Sequence, residues 1–190
     1  MKSVLSVIGL VTIFILLTLS YYGLFTKVKI AEKEIENFWL IYEKHVGDYK
    51  EVGQVMDKIH SSLLGEDAIE TSREFGLYYD NPKEVRKENL RSIVGCILDK
   101  QYEDRIEYLK KNYKVSKYPS SKSIVAEFPF KGKPSIFIGI FKVYPKLTKY
   151  IEQNNYSQGP IMEIYDTPNG KILYVASVNM DATIFDDFLK

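Results

Sequence analysis

The chain is short of the residues that most often carry chemistry. Its 190 residues include one cysteine, Cys96, and two histidines, His45 and His60. A single cysteine cannot close a disulfide within the chain, and Cys96 lies in the apolar run "SIVGCIL", where it reads as a small core hydrophobe. The histidines have no cysteine or carboxylate beside them at ligand spacing, so no metal site is expected. An excess of one charge is missing too. Twenty-six basic residues face 25 acidic ones with no basic stripe, which argues against binding nucleic acid by neutralising phosphates. "GIFKVYPK" and "KGKPS" lack the glycine pattern of a phosphate loop, and there is no Gly-x-Ser-x-Gly elbow. No cofactor is expected.

What the chain does have begins near its start. From Val4 to Phe25 it reads "VLSVIGLVTIFILLTLSYYGLF", 22 residues without a charge. A helix of that length spans the hydrocarbon core of a bilayer, and Tyr21, Tyr22 and Phe25 gather at one end as an interfacial belt. A cleaved signal peptide has a shorter apolar region and an Ala-x-Ala-like site, which is absent here. A buried core helix of this kind would have to be apolar on every face. The expectation is a single-pass anchor over residues 1–27, contacting the membrane through residues 4–25. Lys2 lies on one side and Lys27, Lys29 and Lys33 on the other, so the positive-inside rule leans toward a cytosolic domain.

The remainder aligns with itself. With an offset of 86, Glu36–Pro82 lies against Lys122–Pro168 without a gap. "ENFWLIYEK" and "SIVAEFPF" read as strands. Each precedes a helical stripe: Val52, Met56, Ile59 and Leu63, with Gly65 as a stop, then Phe137, Ile140, Tyr144, Leu147 and Ile151, with Ser135 as a cap. Pro145 is expected to kink or interrupt the second helix. Two more strands follow in each half, the last pair turning at Asn169-Gly170. A charged helix, "YEDRIEYLKKN", joins the halves. The expected fold class is α+β: a tandem pseudo-symmetric β-α-β-β repeat forming one antiparallel sheet with two long helices on one face. The expected domain covers residues 28–181, with a short tail at 182–190.

The repeat has one odd position. "FGLYYDNP" and "MEIYDTP" share a Tyr-Asp-x-Pro ending, and turn chemistry accounts for the Asp and Pro. It does not account for Glu163, which the offset places where the first copy has Leu77. In an apolar strand, a buried unpaired carboxylate carries a penalty of several kcal/mol. An edge strand facing water, or an ion pair with Arg91 or a lysine, would remove that penalty. A third reading is a groove along the pseudo-twofold, where Leu77, Tyr79, Glu163 and Tyr165 meet a ligand. A carboxylate among aromatic rings suits an apolar cation, at about 0.5–2 kcal/mol per cation–π contact.

"LYYDNPKEVRKENLRS" followed by "VGCIL", and later "PIMEIYDTPNGKILYVASV", resemble the GyrI-like small-molecule-binding domain, over Val28 to Met180. The resemblance implies a tandem β-α-β-β fold and a multidrug-binding groove whose acidic residue in the Glu-Ile-Tyr strand meets the ligand. On this chain that residue is Glu163, with Tyr79 and Tyr165 as the matching aromatic positions. Trp39, Tyr42, Phe137 and Phe141 are candidate walls that also read as core. The implied partner is a small hydrophobic molecule, cationic in keeping with the carboxylate, bound without catalysis.

Some members of that family hydrolyse electrophilic compounds, a role that Glu163 with Tyr165 would serve here. An apolar N-terminal segment joined to such a domain also resembles an autophagy receptor of the endoplasmic reticulum, a protein-interaction role. That role depends on a long tail with an aromatic-x-x-aliphatic motif. This chain reads "DATIFDDFLK", with Phe188 three residues after Phe185, so the role is not expected to carry over. No helix-turn-helix segment is expected either.

Overall fold

A computed structural model describes residues 2–178, so the expected tail at 182–190 lies outside the described residues. Helix α1, Lys2–Tyr21, carries no acidic residue in its first turn and no basic one in its last. Its Ser3–Tyr21 stretch is 0% buried, unlike the core helix of a soluble protein. By length and composition it can cross a membrane. The hydroxyls of Thr12 and Thr18 donate to the carbonyls of Ile8 and Phe14, at 2.9 and 2.8 Å, which satisfies them without water.

The rest runs β1 (Ile30–Ile35), β2 (Phe38–Val46), α2 (Val52–Asp67), β3 (Arg73–Tyr78), β4 (Arg91–Leu98), α3 (Ile106–Leu109), β5 (Lys114–Tyr118), β6 (Ser121–Pro129), α4 (Lys133–Gln153), β7 (Ile161–Asp166) and β8 (Lys171–Ser177). The strand–helix–strand–strand order thus occurs twice, from β2 to β4 and from β6 to β8. All eight strands join one antiparallel sheet in the order β1-β6-β8-β7-β3-β4-β2-β5.

Chain connectivity forces this sheet to curl. β5 and β6 stand six strand spacings apart in the sheet order, about 29 Å if it were flat. Yet Tyr118 and Ser121 are only three Cα steps apart, at most about 11 Å. The link from Ile35 to Phe38 imposes the same closure between β1 and β2.

The inside of the curl is packed by strands alone. Leu40, Phe75, Leu77, Ile93, Ile97, Tyr118, Val125, Met162, Ile164 and Val175 form a cluster with no helical member. The two long helices share the outer face. Val52 and Met56 of α2 and Val143, Leu147 and Ile151 of α4 pack on one cluster there, and Ile59 and Leu63 of α2 on another. Each such side chain contributes about 1.5–3 kcal/mol of burial. Cys96 is fully buried among them, and burial pushes its thiol up to about 12.

Several local expectations change. α4 runs unbroken through Pro145, because packing on the sheet outweighs the lost hydrogen bond. Its buried stripe is Ser135, Gly139, Val143, Leu147 and Ile151, leaving Phe137 and Phe141 outside. Ser135 sits within the first turn and accepts from the Lys131 N–H at 3.0 Å, while Gly132 is the N-cap. The charged bridge is 3-10 turns and one short helix, followed by edge strand β5.

Gly65 does not stop α2. The stop is Ala68, in the left-handed region at φ 52°, where the chain turns so that Ile69 can donate to the Leu63 carbonyl and bury fully. An L-residue in that region costs about 1–2 kcal/mol. Ala68→Gly is therefore expected to stabilise the protein by about 0.5–1 kcal/mol, less than the full strain because glycine loosens the unfolded chain. A thermal melt showing lower stability would contradict this.

Candidate functional site

Strand alternation places Ile161, Glu163 and Tyr165 of β7 on the outer face, under the helices, and Met162 and Ile164 inside. On β3, Gly76 stands opposite Glu163 and Leu77 opposite Met162. Tyr78 therefore shares the outer face with Glu163, and Leu77 points inward. The 86-residue offset is off by one in this strand, and a one-residue slip exchanges the faces. The two Tyr-Asp-x-Pro strings are consequently not equivalent: Tyr165 faces α4, whereas Tyr79 packs against the inner cluster.

Their aspartates also do different work. Asp80 takes a two-pronged contact from the Arg91 side chain, at 2.7 and 3.0 Å, plus the Arg91 N–H at 2.7 Å. The Arg91 guanidinium holds the Asp80 carboxyl below its usual range. Asp166 instead accepts from the backbone and side chain of Asn169, closing the β7–β8 turn. Arg91 is thus committed to Asp80 and does not neutralise Glu163.

Glu163 is only 2% exposed. Tyr144 of α4 donates to one carboxylate oxygen at 2.7 Å and Tyr165 donates to the other at 2.8 Å. The Tyr78 and Tyr165 hydroxyls lie 3.5 Å apart. Tyr174 of β8 is the cross-strand neighbour of Glu163, and its buried hydroxyl has no hydrogen-bond partner. Outside these stand Tyr49 on Tyr78, Phe130 on Tyr165 and Tyr144 on Tyr174, with ring centroids 4.8, 6.0 and 5.7 Å apart. Gly139 lets α4 come close, since a Cβ there would lie 2.3 Å from the Tyr174 hydroxyl. Val52 and Met56 of α2 complete the same packed cluster.

The electrostatics follow from this enclosure. Burial raises the Glu163 carboxyl above its ordinary value, and the two phenol hydrogen bonds pull it partly back. Burial, followed by the Glu163 charge, pushes the Tyr144 and Tyr165 phenols well above theirs. Among the described residues no lysine or arginine forms an ion pair with Glu163. The result is a carboxylate compensated by hydrogen bonds alone, inside a filled aromatic box.

The other sequence candidates lie apart from it. Trp39, on β2 three places from β7 in the sheet, packs on the α2–α3 side with Lys110 and Lys117 within 5.7 Å of its ring centre. Tyr42 packs against the inner cluster, and Phe141 is 80% exposed. Reasoning from sequence passed over Tyr78, Tyr174, Tyr49 and Phe130 and read Tyr144 only as helix stripe. The usable signal was the pair Tyr78-Tyr79: one of the two must face outward, and register decides which.

A curled sheet under two helices with an acid at its centre defines a class of small-molecule-binding domain. The description of the GyrI-like small molecule binding domain matches residues 29–174, and the chain belongs to this family. It is 32% identical over 173 residues to human testis-expressed protein 264, covering 85% of this chain and 53% of that protein. The chain spans about half the length of the curated relatives it matches. Among solved structures, the EcmrR C-terminal domain shares the fold with a TM-score of 0.56 and 15% identity, over 81% of this chain and 99% of that one. SAV2435 bound to tetraphenylphosphonium gives a TM-score of 0.50 and 13% identity, over 81% of this chain and 94% of that one.

Proposed function

We propose that the chain is a membrane-anchored binder of small hydrophobic cations, held by an anchor over residues 1–27 that contains α1, with the binding domain over 28–181 facing the cytosol. The observation that carries the binding reading is Glu163, a buried carboxylate with phenols for partners and, among the described residues, no cation. An aromatic cation seated between α2 and α4 would supply the missing charge, with the rings of Tyr78, Tyr165 and Tyr174 around it. SAV2435, which shares the fold, was solved with a cation of this class.

Because the box is filled, the ligand must displace the Tyr144 side chain. The apparent affinity is then reduced by the fraction of molecules with Tyr144 swung out. Hydrolysis by Glu163 with Tyr165 is the second use of the same groups. It needs the same opening of the enclosure around Glu163 and, in addition, a water placed at the carboxylate, so turnover that Glu163→Gln abolishes would mark it.

The test is a calorimetric titration of the full chain in detergent with tetraphenylphosphonium and a neutral tetraphenyl analogue. The cation is expected to bind, and Glu163→Gln to weaken it about tenfold or more while leaving the neutral compound unchanged, as loss of about 1.4 kcal/mol of charge pairing requires. Equal binding of both compounds, or no effect of Glu163→Gln, would overturn the assignment.

A further inference from the structure

The large apolar side chains left exposed on the domain are not evenly spread. Val46, Leu64 and Tyr108 are single residues on separate elements. Phe137, Ile140 and Phe141 fall within little more than one turn of α4 and are 58%, 38% and 80% exposed. A phenylalanine exposed to that degree gains nothing from the core, and two of them on one helix face call for a covering surface.

The position of the anchor says what that surface is. The turn leaving α1 does not swing free. Gly23, at φ 102°, lies so close to β6 that a Cβ there would stand 2.7 Å from the Phe128 ring and 3.1 Å from Pro129. The Lys142 ammonium donates to the Leu24 carbonyl. The end of the apolar helix is therefore fastened to the middle of α4, next to Phe141. Tyr21 and Phe25, 64% and 65% exposed, stand at that same end. The charges on α4 match lipid headgroups. It carries Lys133, Lys142, Lys146 and Lys149 and has no acidic residue before Glu152. Aromatic residues on one face with lysines beside them are the composition of a helix that lies in a membrane interface.

We propose that the outward face of α4 around Phe137 and Phe141 rests in the interface of the bilayer that α1 crosses. The domain is then held at two adjoining points and sits on the lipid surface in one orientation. α4 also carries Tyr144, so the helix that covers Glu163 is the helix in contact with lipid, and a hydrophobic cation partitioned into the headgroup layer has a short path to the site. The inference rests on the reading of α1 as an anchor.

The test uses the full chain in phosphatidylcholine vesicles, with and without a minority of phosphatidylserine. An environment-sensitive fluorophore is attached at Phe141→Cys, at Leu64→Cys on α2, or at Leu10→Cys within α1. Cys96 is fully buried, and labelling of the unsubstituted chain gives the background. Quenching by nitroxide lipids is expected to be severalfold stronger at 141 than at 64 and to approach that at 10, with iodide quenching in the reverse order. Adding Phe137→Asp should bring the label at 141 down to the level seen at 64. If 10 is quenched by lipid but 141 behaves like 64, the α4 contact is wrong and the anchor stands. If 10 is not quenched by lipid either, the anchor reading fails and this inference fails with it.

Discussion

Replacing Tyr144 and Tyr165 together by phenylalanine is expected to destabilise the protein by about 3–5 kcal/mol at neutral pH, the cost of leaving a buried charge without compensation. The two hydroxyls are the only described hydrogen-bond donors to Glu163, at 2.7 and 2.8 Å, and the substitution leaves the packing rings in place. The loss should depend on pH in a definite direction. Burial raises the Glu163 carboxyl in the folded state from its ordinary value of 4.5, so the folded protein holds this proton more tightly than the unfolded chain. The resulting stabilisation is complete below about 4.5 and disappears as pH rises through the raised value.

Removing the phenols raises that value further, because both hydrogen bonds lower it. The gap between variant and wild type should therefore fall toward the loss of two neutral hydrogen bonds near pH 4.5 and widen toward pH 8. In a Glu163→Gln background only neutral hydrogen bonds are lost, about 1 kcal/mol each. Denaturant titrations of the four proteins across this range measure the coupling directly, since other titrating groups cancel in the differences. A penalty that stays constant with pH would mean that the tyrosines serve packing and not the carboxylate.

The second large effect is expected at Gly95, where alanine should cost about 3 kcal/mol or more. Gly95 of β4 stands between Tyr42 of β2 and Phe75 of β3 in the sheet. An added Cβ would lie 2.0 Å from the Ile41 carbonyl oxygen and 2.9 Å from the Tyr42 Cα. Both neighbours are backbone, so no rotamer change can relieve the contact, and the β2–β4 pairing would have to part. That pairing holds the curled half of the sheet beneath α2. A Gly95→Ala protein that melts with wild type would show that β2 yields more easily than a paired central strand should. By contrast, Gly53 and Gly65 on α2 have open space at the Cβ position, and alanine there should cost nothing through packing.

Much of the architecture was legible in the sequence because it depends on local pattern. The uncharged run marked α1, and the spacing of Val52, Met56, Ile59 and Leu63 marked α2 together with its buried face. The alternation in "IMEIYD" showed that Glu163 lies on the same side as Tyr165, and the apolar character of that strand marked the carboxylate as out of place. The family resemblance then indicated a binding domain, and the match over residues 29–174 agrees. These are properties of a strand or helix taken by itself, where the period of the backbone assigns the faces.

Only the tertiary structure could decide what lies across from what. Whether Gly76 or Leu77 opposes Glu163 is a matter of strand register, and a single step exchanges Tyr78 for Tyr79 at the site. That Tyr144 reaches Glu163, 19 positions further along the chain, depends on how α4 sits over β7, which the sequence separation does not determine. That β1 pairs with β6 and β5 with β2, at opposite ends of a sheet that the two short links then require to curl, is a long-range arrangement that no window of sequence contains. Local periodicity assigns each residue a face, but the pairing of distant segments decides which faces meet. The candidate site at Glu163 is built almost wholly from such meetings.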